Sequence, residues 1–267
     1  MNISYIASLN ILKRDFLFML GKTIKTFPTL VEGVLQKRYK RFLADVQLDT
    51  GEIVTAHCAN TGPMKGVLYP GGRVRLRYAP SPTRKLSWSW EQAQVPSEKG
   101  YCWVGVNTSL PNTLVRLAIE SGFLNKQLGD IKEIKNEVVY GMERKSRIDL
   151  LLIPNSKNLD TRKIFLEVKN TTWTKENKAL FPDSVTKRGQ KHLKEMMREL
   201  PSSRAVLVPC ISRNDVDIFA PGDSADPSYG DLFRLALSKG VEVFPCAFNF
   251  YQDHITWEGV KPFVTNE

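Results

Sequence analysis

A glutamate and a lysine stand two positions apart in the otherwise apolar segment IFLEVKNTTW, which spans residues 164–173. Because side chains alternate along a β-strand, Glu167 and Lys169 point to the same face. A second carboxylate, Asp149, lies in the apolar segment SRIDLLLIP. Two carboxylates withdrawn from water repel each other, and their pKa values rise unless a cation lies between them. Hard oxygen ligands on a rigid sheet suit Mg²⁺ or Mn²⁺, so Asp149 and Glu167 are predicted to hold one of these ions.

Lys169 is predicted to have a catalytic role beside this metal site. From the same face as Glu167, it can align a water molecule and offset charge on a scissile phosphate. Asp149, Glu167 and Lys169 are therefore predicted to catalyse phosphodiester hydrolysis. The pattern is weak by itself, and a second interpretation stays open. In it, Glu167 and Lys169 form a salt bridge at the end of an edge strand, while Asp149 bonds to Arg147 or Arg144.

Basic residues lie on both sides of the two carboxylates in the sequence. Arg144, Lys145 and Arg147 come just before Asp149, and a basic helix is expected within FPDSVTKRGQKHLKE. Its lysines recur at i, i+4 and i+7 and so share one helix face. A basic face beside a carboxylate site suits a phosphodiester backbone, although a solvated helix surface would show the same pattern. The nucleic-acid contacts predicted in this region are Arg147, Lys187, Arg188, Lys191 and His192.

Short strands are predicted in the part of the chain that precedes this site. Residues 30–79 alternate apolar and polar side chains, with turns at DTG and PGG. Short strands joined by such turns favour a small barrel of the OB type. The segment that follows, SPTRKLSWSWEQAQVPSEKG, indicates an excursion before a second unit.

One segment of the expected barrel, QKRYKRF, interleaves cations with aromatic rings. Cations can follow a phosphate backbone while aromatic faces stack on bases, as OB folds do with single strands. Arg73, Arg75 and Arg77 share one strand face and support this prediction. In the alternative, Phe42 belongs to the core and the charges to a solvated turn. Three tryptophans could stack on bases or fill a domain junction: Trp88, Trp90 and Trp103. The contacts predicted in the barrel are Lys37, Arg38, Tyr39, Lys40 and Arg41.

Beyond this region, strands alternate with helices, which indicates a sheet packed between helices. Asp183 or Ser184 is expected to cap the basic helix. We therefore expect an OB-like domain at residues 28–100 and an α/β domain at residues 101–267. Residues 1–27 are expected to form an N-terminal extension, to which the sequence assigns no role.

The composition is that of a folded, basic protein. Of 267 residues, 42% are hydrophobic, and 38 Lys and Arg stand against 28 Asp and Glu, which gives a formal charge of +10. That excess favours a polyanionic partner, nucleic acid first and an anionic membrane second; a basic protein without such a partner is the alternative. No apolar run approaches the roughly 18 residues of a membrane span, so no membrane partner is expected. Four scattered cysteines and three scattered histidines argue against zinc, and so few cysteines suit the cytoplasm.

Five segments together resemble the sugar fermentation stimulation protein A family: RYKRFLADV, HCANTGPM, SRIDLLL, EVKNTTW and FPDSVTKRGQKHL. The resemblance runs from about residue 28 to the C-terminus, in the same order. It implies an α/β (α+β) protein in which an OB-like barrel precedes a PD-(D/E)xK nuclease-like mixed sheet flanked by helices. It also implies that Asp149 and Glu167 are metal carboxylates and that Lys169 is the catalytic lysine. Members of the family are described as DNA-binding proteins linked to sugar metabolism genes, with nuclease activity implied by the fold.

The nuclease superfamily that the resemblance invokes often takes a further glutamate from the first helix of its core. Here that helix offers Asn112 and Glu120, and Glu137 is another candidate for a third metal ligand. The expected function is thus a DNA-binding protein with a nuclease-like site that depends on Mg²⁺ or Mn²⁺, with RNA open as a partner. The alternative is a catalytically inactive regulatory protein that binds DNA without sequence preference.

Overall fold

The barrel predicted for the first part of the chain is confirmed. A computed structural model describes residues 19–98, 100–141 and 146–267. In chain order, its first strands are β1 (Thr23–Thr26), β2 (Val31–Tyr39), β3 (Leu43–Leu48), β4 (Ile53–His57), β5 (Arg73–Tyr78), β6 (Trp88–Ser97) and β7 (Gly100–Gly105). The order β4-β3-β2-β5-β6, with a further pairing of β4 to β6, closes an OB-like barrel of five strands. Strand β7 pairs with β6 and extends this sheet.

Alternate residues of the barrel strands form its core, as the sequence pattern requires. Leu35, Val46 and Leu76 are fully buried, and each is flanked in sequence by more exposed neighbours. Trp90 is 1% exposed, and its Nε1 donates to the carbonyl of Gln92 at 2.8 Å. Trp90 therefore fills the barrel and satisfies its indole N–H there, which leaves it no face for a nucleobase.

The second part of the chain alternates helices and strands as predicted. Its elements are α1 (Leu110–Glu120), α2 (Asn125–Leu128), β8 (Ile131–Tyr140), β9 (Ser146–Pro154), β10 (Ile164–Thr171), β11 (Trp173–Lys175), β12 (Lys178–Phe181), α3 (Lys187–Glu199), β13 (Arg204–Ile211), β14 (Ile218–Pro221), α4 (Pro227–Lys239), β15 (Glu242–Val243), β16 (Cys246–Phe250) and β17 (His254–Val260). The main sheet runs β1-β17-β16-β13-β10-β9-β8, with β15 beside β13, and β11, β12 and β14 form a smaller sheet. Because β13 pairs in parallel with β10 and β16 while the outer strands pair in antiparallel fashion, the main sheet is mixed.

Helices cover both faces of this sheet. Leu114 and Ala118 of α1 belong to the same core as Leu166 of β10. Leu193 of α3 and Phe233 of α4 belong to a second core, together with Ala205 and Leu207 of β13. Both apolar faces of the sheet are thereby buried, and the predicted sheet between helices is confirmed.

The basic helix is capped differently from the prediction. Helix α3 begins at Lys187, and the Oγ1 of Thr186 accepts a hydrogen bond from the backbone N–H of Gly189 at 3.0 Å. Asp183 and Ser184 lie too far before the first turn to take this role, so the expected cap was wrong. Asp183 is thereby left for other contacts.

The two parts of the chain are joined by backbone and side-chain hydrogen bonds. The N–H of Gly105, at the end of β7, donates to the carbonyl of Ser212 at 2.9 Å. Gln92 Nε2 donates to the carbonyl of Tyr251 at 2.7 Å. A side chain at position 105 would collide with the ring of Phe250, so only glycine permits this close approach. Because β7 (Gly100–Gly105) pairs with β6, the barrel sheet continues past residue 100 and reaches the second part of the chain.

Residues from the expected N-terminal extension contribute to the second sheet. Strand β1 pairs in antiparallel fashion with β17 and forms the edge of the main sheet, so residues 23–26 belong structurally with the C-terminal part of the chain. The remainder of the extension up to residue 18 lies outside the described residues. Within the part of the chain that the structure describes, no helix is long and apolar enough to cross a membrane.

Candidate functional site

The carboxylate of Asp149 lies where two central strands separate. β9 and β10 pair from Leu152–Ile164 to Leu150–Leu166, and the pairing stops before Asp149. There, Asp149 Oδ2 accepts a hydrogen bond from the N–H of Val168 at 2.7 Å, which satisfies a backbone group freed by the separation. Asn112 Nδ2, from α1, donates to the other oxygen, Oδ1, at 2.9 Å. Asp149 is therefore fixed between β10 and α1.

Glu167 lies beside it on β10 and is 2% exposed. Its Oε1 contacts Lys169 Nζ at 2.6 Å and also the Nδ1 of His192, which comes from α3. Lys169 Nζ lies 3.4 Å from the same His192 nitrogen, so the three side chains form one cluster. The second carboxylate oxygen, Oε2, is buried and has no hydrogen-bond partner among the described residues.

The salt-bridge interpretation of the sequence is correct about the ion pair and wrong about the edge strand, and its alternative partner Arg144 lies outside the described residues. Glu167 and Lys169 do form an ion pair. However, β10 lies between β9 and β13 in the sheet, so the pair is central and not at an edge strand. Asp149 bonds to Asn112 and to the N–H of Val168, whereas Arg147 is exposed.

The pKa values of the two carboxylates shift in opposite directions. Burial, together with the neighbouring charge of Glu167, raises the pKa of Asp149 to about 6, and the hydrogen bonds from Val168 and Asn112 oppose this rise only in part. Burial also acts to raise the pKa of Glu167, but the ion pair with Lys169 and the contact with His192 outweigh it and lower that pKa. At neutral pH both are ionised, and Asp149 is the one that takes up a proton first as the pH falls.

The donor atoms present suit a divalent cation that keeps part of its hydration shell. The cluster offers hard carboxylate oxygens, and one of them, Glu167 Oε2, is buried and has no partner among the described residues. No group of three or more His, Cys, Asp or Glu side chains in the described ranges is arranged to hold a metal ion. The chain would therefore supply Asp149 and Glu167, with water and phosphate oxygens completing the shell, as is usual for Mg²⁺.

The three candidates for a further ligand lie in different positions. Asn112 already bonds to Asp149 through its amide nitrogen. Glu120 is at the far end of α1, about two turns away, and pairs there with Arg116 at 2.8 Å. Glu137 lies on β8 between the paired positions 136–150 and 138–148, and is thus opposite Asp149. Its backbone adopts φ 51°, a left-handed conformation rare for glutamate. Glu137 is therefore the candidate whose carboxylate lies beside the site without an ion pair to another described residue.

An open groove adjoins the cluster and collects the basic residues predicted around it. Its lining comprises Glu137, Ser146, Arg147, Lys187, Arg188, Lys191 and His192. The three cations of α3 in this groove are exposed, whereas His192 is 5% exposed at its floor. His192 therefore contacts Glu167 and is not placed as a surface phosphate ligand. Arg144 and Lys145 lie outside the described residues.

The basic segment of the barrel divides into structural and exposed residues. Arg38 donates to the carbonyls of Arg41, Asn60 and Gly62 at 2.7, 2.8 and 2.9 Å, and so ties the β2–β3 hairpin to the loop that follows β4. Lys40 and Arg41 form the exposed tip of that hairpin, with φ 48° and 67°, as a type I′ turn requires. Neither forms an ion pair with another described residue.

Two more residues of this segment share one carboxylate. Tyr39 donates its hydroxyl to Asp45 Oδ1 at 3.1 Å, and Lys37 Nζ lies 3.4 Å from Asp45 Oδ2. Lys37 is largely exposed despite this contact, so its charge still reaches the surface. The hydroxyl of Tyr39 is thereby fixed to β3, on which Asp45 lies.

The expected cationic face of β5 is neutralised by carboxylates. Arg73 pairs with Glu32 and Asp49, and Arg77 pairs with Glu91. Arg75 also pairs with Glu32, and its guanidinium lies 3.7 Å from the centre of the Trp103 ring. The three arginines do share a face, but their charges are paired within the barrel and are not free cations on its surface.

A different patch of the barrel is basic and exposed. An open depression is lined by Lys40, Phe42, Leu43, His57, Arg84, Lys85 and Leu86, a set without a carboxylate. Phe42 is 45% exposed, so the alternative that placed it in the core was wrong. Arg84 and Lys85 were missed from the sequence because they lie in the segment interpreted as an excursion; the dipeptide Arg-Lys beside Leu86 was the available signal.

Comparison with known proteins follows the same division into two parts. Residues 37–106 match the profile described as "SfsA N-terminal OB domain", and residues 109–254 match "Sugar fermentation stimulation protein RE domain". A sugar fermentation stimulation protein homolog of Prochlorococcus marinus is 73% identical over 249 residues, which cover 93% of this chain and 99% of that protein. The homolog of Synechococcus sp. (strain CC9311) is 65% identical over 244 residues, 91% of this chain and 98% of that protein.

A solved structure shares the fold. The structure of Pyrococcus furiosus SfsA in complex with Ca²⁺ superposes with a TM-score of 0.78 over 91% of this chain and 100% of that chain, at 23% identity. The profile matches together span most of the sequence, and the relatives are aligned over nearly their whole length. The chain therefore belongs to the sugar fermentation stimulation protein family.

Proposed function

We propose that this protein binds DNA and hydrolyses its phosphodiester bonds at Asp149, Glu167 and Lys169, with Mg²⁺ or Mn²⁺ held by the two carboxylates. The observation that carries the proposal is the cluster at the point where β9 and β10 separate. It contains two close carboxylates, a lysine within 2.6 Å of one of them, and a buried oxygen of Glu167 without a partner among the described residues. A protein that only binds nucleic acid has no need for a buried carboxylate and a half-buried carboxylate that repel each other.

A divalent cation at this position is supported by similarity as well as by the donor atoms. Pyrococcus furiosus SfsA, which shares the fold, has been solved in complex with Ca²⁺. When bound, a divalent ion would polarise the scissile phosphate and acidify a water molecule. Asp149 is held for this role by Val168 and Asn112, and Glu167 by the surrounding burial.

The protein's own side chains would do the rest. Lys169 is 12% exposed and touches Glu167, so it can turn its ammonium group toward the phosphate that enters beside that carboxylate. Arg147, Lys187 and Lys191 line the adjoining groove and would hold the flanking phosphates. The basic patch around Phe42 gives the barrel a second place to contact the strand. Four buried free cysteines are compatible with action in the cytoplasm.

One observation favours a second candidate, a regulatory protein that binds DNA without cutting it. Glu167 already has a cationic partner in Lys169 and a further contact in His192, so the fold neutralises this carboxylate without a metal ion. In that case the groove and the barrel patch would bind the nucleic acid, and the cluster would be structural.

Cleavage and binding measured in the same samples separate the two candidates. Wild type, Glu167→Gln and Lys169→Ala are incubated with labelled single- and double-stranded DNA and RNA in Mg²⁺ or Mn²⁺. We expect both variants to lose cleavage by at least about 100-fold while they keep binding. Glu258→Gln, on β17 at the other side of the sheet, is the matched control and should cut normally. Binding by wild type without cleavage in either metal would contradict the nuclease proposal and favour the regulatory one.

A further inference from the structure

A second cavity lies beside the proposed catalytic strand, and the reaction proposed above does not use it. It encloses about 210 Å³, and the side chains that matter for its chemistry are Asn60, Thr108, Asn170, Thr172, Trp173 and Asp183. Asn170 follows Lys169 directly on β10, so the cavity lies at the C-terminal end of this strand. Because side chains alternate along a strand, Asn170 points to the face opposite Lys169, and a bound strand would pass around the end of β10 to reach both. Three of the segments that carried the family resemblance, far apart in sequence, meet here: HCANTGPM, EVKNTTW and FPDSVTKRG.

The amide groups of this cavity have their nitrogens available for a ligand. Asn170 Oδ1 accepts a hydrogen bond from Ser212 Oγ at 3.0 Å, which orients the amide and leaves Nδ2 without a partner among the described residues. Asn60 Oδ1 accepts from the N–H of Gly62 at 2.9 Å, so its Nδ2 is likewise unused within the described ranges. Asp183 accepts a long hydrogen bond, 3.4 Å, from the N–H of Lys65. The cavity thus presents two donors and one carboxylate acceptor.

Charge and size exclude a phosphate as the natural occupant and favour a single neutral ring. Asp183 is the charged side chain of the lining and brings one negative charge, whereas Lys65 lies outside the lining, with its Nζ 3.7 Å from the centre of the Trp173 ring. The cavity therefore lacks the positive charge of the groove. Its volume is below the ~300 Å³ at which pockets for drug-sized ligands begin, so one planar ring is about what it can hold. Trp173 supplies an aromatic wall.

We propose that this cavity receives one unstacked nucleobase of the strand bound at the catalytic cluster. The amide nitrogens of Asn60 and Asn170 and the carboxylate of Asp183 would then read the edge of the base, as in enzymes that extrude a base from the stack. The inference rests on the proposed function, since it assigns the position of the nucleic acid relative to Lys169. It implies a preference for unpaired strands, because a base within a duplex would first have to leave the stack.

The test is a double-mutant cycle in which one base of the nucleic acid and one side chain of the protein are removed separately and together. Binding affinity is measured in the presence of a chelator, so that no metal-dependent cleavage occurs. A single abasic site is moved along a single-stranded oligonucleotide, and the affinities of wild type, Asn170→Ala and Asn155→Ala are compared. Wild type and Asn155→Ala, a control that follows the last residue of β9 and lies outside the cavity lining, should each lose about tenfold or more at one position of the scan. Asn170→Ala should bind the intact strand more weakly and show no further loss at that position.

Each other outcome has a distinct meaning. Tight binding with a flat scan in wild type, or an equal position-specific loss in Asn170→Ala, would overturn the base pocket and leave the proposed function standing. Absence of binding to every nucleic acid would overturn the proposed function itself. A parallel titration with thymidine, whose base is a single ring, and glucose identifies the remaining alternative, since saturable binding of glucose but not thymidine, lost in Asn170→Ala, would assign the cavity to a sugar and overturn the proposal.

Discussion

Asp149 is held by two hydrogen bonds that favour its charged form, and still its pKa rises to about 6 because burial and the charge of Glu167 act more strongly. Glu167 is more deeply buried and yet has a lowered pKa, since Lys169 and His192 neutralise it. The surroundings, and not the residue type, therefore decide which of the two carboxylates is the energetically costly one. A cation placed between them would relieve that cost.

This difference makes stability depend on pH at Asp149 in a defined direction. In the unfolded chain an aspartate titrates near pH ~3.9, whereas in the folded protein Asp149 titrates at about 6. Between these values the folded state binds more protons, so the free energy of unfolding falls as the pH rises and levels off above both. The full effect corresponds to about 3 kcal/mol, and Asp149→Asn does not show it.

Urea denaturation in chelator at pH 4, 5, 6 and 7 measures this effect. We expect the stability of wild type relative to Asp149→Asn to decrease by up to about 3 kcal/mol from pH 4 to pH 7. Taking the difference between the two proteins cancels the pH dependence of the groups whose titration does not depend on the charge of Asp149. A difference that stays constant across the series would show that Asp149 titrates normally in the folded state.

At the scale of elements, the β2–β3 hairpin carries one cation with a structural role, Arg38, and two exposed cations, Lys40 and Arg41. Arg38 holds the hairpin to the loop after β4 through two carbonyl groups of that loop, and it also donates to the carbonyl of Arg41 within the hairpin. The same loop carries Asn60 to the cavity beside β10. Lys40 and Arg41 at the tip contact neither element with their charges. From the sequence, all three cations looked like candidates for nucleic-acid binding. Their contacts indicate that Arg38 stabilises the fold, whereas Lys40 and Arg41 remain available for binding.

Two variants test that separation. Arg38→Ala removes hydrogen bonds from a charged donor, so we expect it to lower the free energy of unfolding by about 1–3 kcal/mol. Arg41→Ala, at the exposed tip, should change stability by less than about 0.5 kcal/mol and weaken nucleic-acid binding. Chemical denaturation and binding assays on both proteins give the comparison. Equal stability of the two variants would refute the structural role of Arg38.

For the whole molecule, the formal charge of +10 is less informative than its distribution. Much of the positive charge is neutralised within the fold, as the arginines of β5 show by pairing with Glu32, Asp49 and Glu91. Exposed cations remain in the groove along α3 and in the patch around Phe42. Under the proposed function, nucleic acid is therefore expected to contact the barrel patch and the groove.

Salt dependence tests where the phosphates bind. Each phosphate contact adds about 0.7–0.9 to the slope of log affinity against log salt. The double variant Lys187→Ala/Lys191→Ala should therefore lower the slope by about 1.4–1.8. Lys163→Ala/Lys239→Ala removes the same charge from exposed sites away from the groove and should leave the slope nearly unchanged. Equal effects of the two double variants would mean that net charge, and not the groove, binds the nucleic acid.

Features that depend on neighbours along the chain could be predicted from the sequence alone. Strand alternation placed Glu167 and Lys169 on one face, and the helical repeat placed the cations of α3 on another. Alternation between turns also predicted the barrel, and strands separated by helices predicted the sheet between helices. These features are local, because a dihedral period decides which side chains point together.

The partners that those side chains meet depend instead on the tertiary structure. The carboxylates that neutralise the arginines of β5 come from other strands and from the turn after β3. Arg38 finds two of its carbonyls on a loop more than twenty positions away, which alternation does not reveal. The deep placement of His192 against Glu167 depends on how α3 packs on the sheet. The meeting of Asn60, Asn170 and Asp183 in one cavity likewise requires the barrel and the sheet to be joined. Partners, burial and hence pKa values are set by strand order and packing across long separations, and a single chain's local pattern carries no record of them.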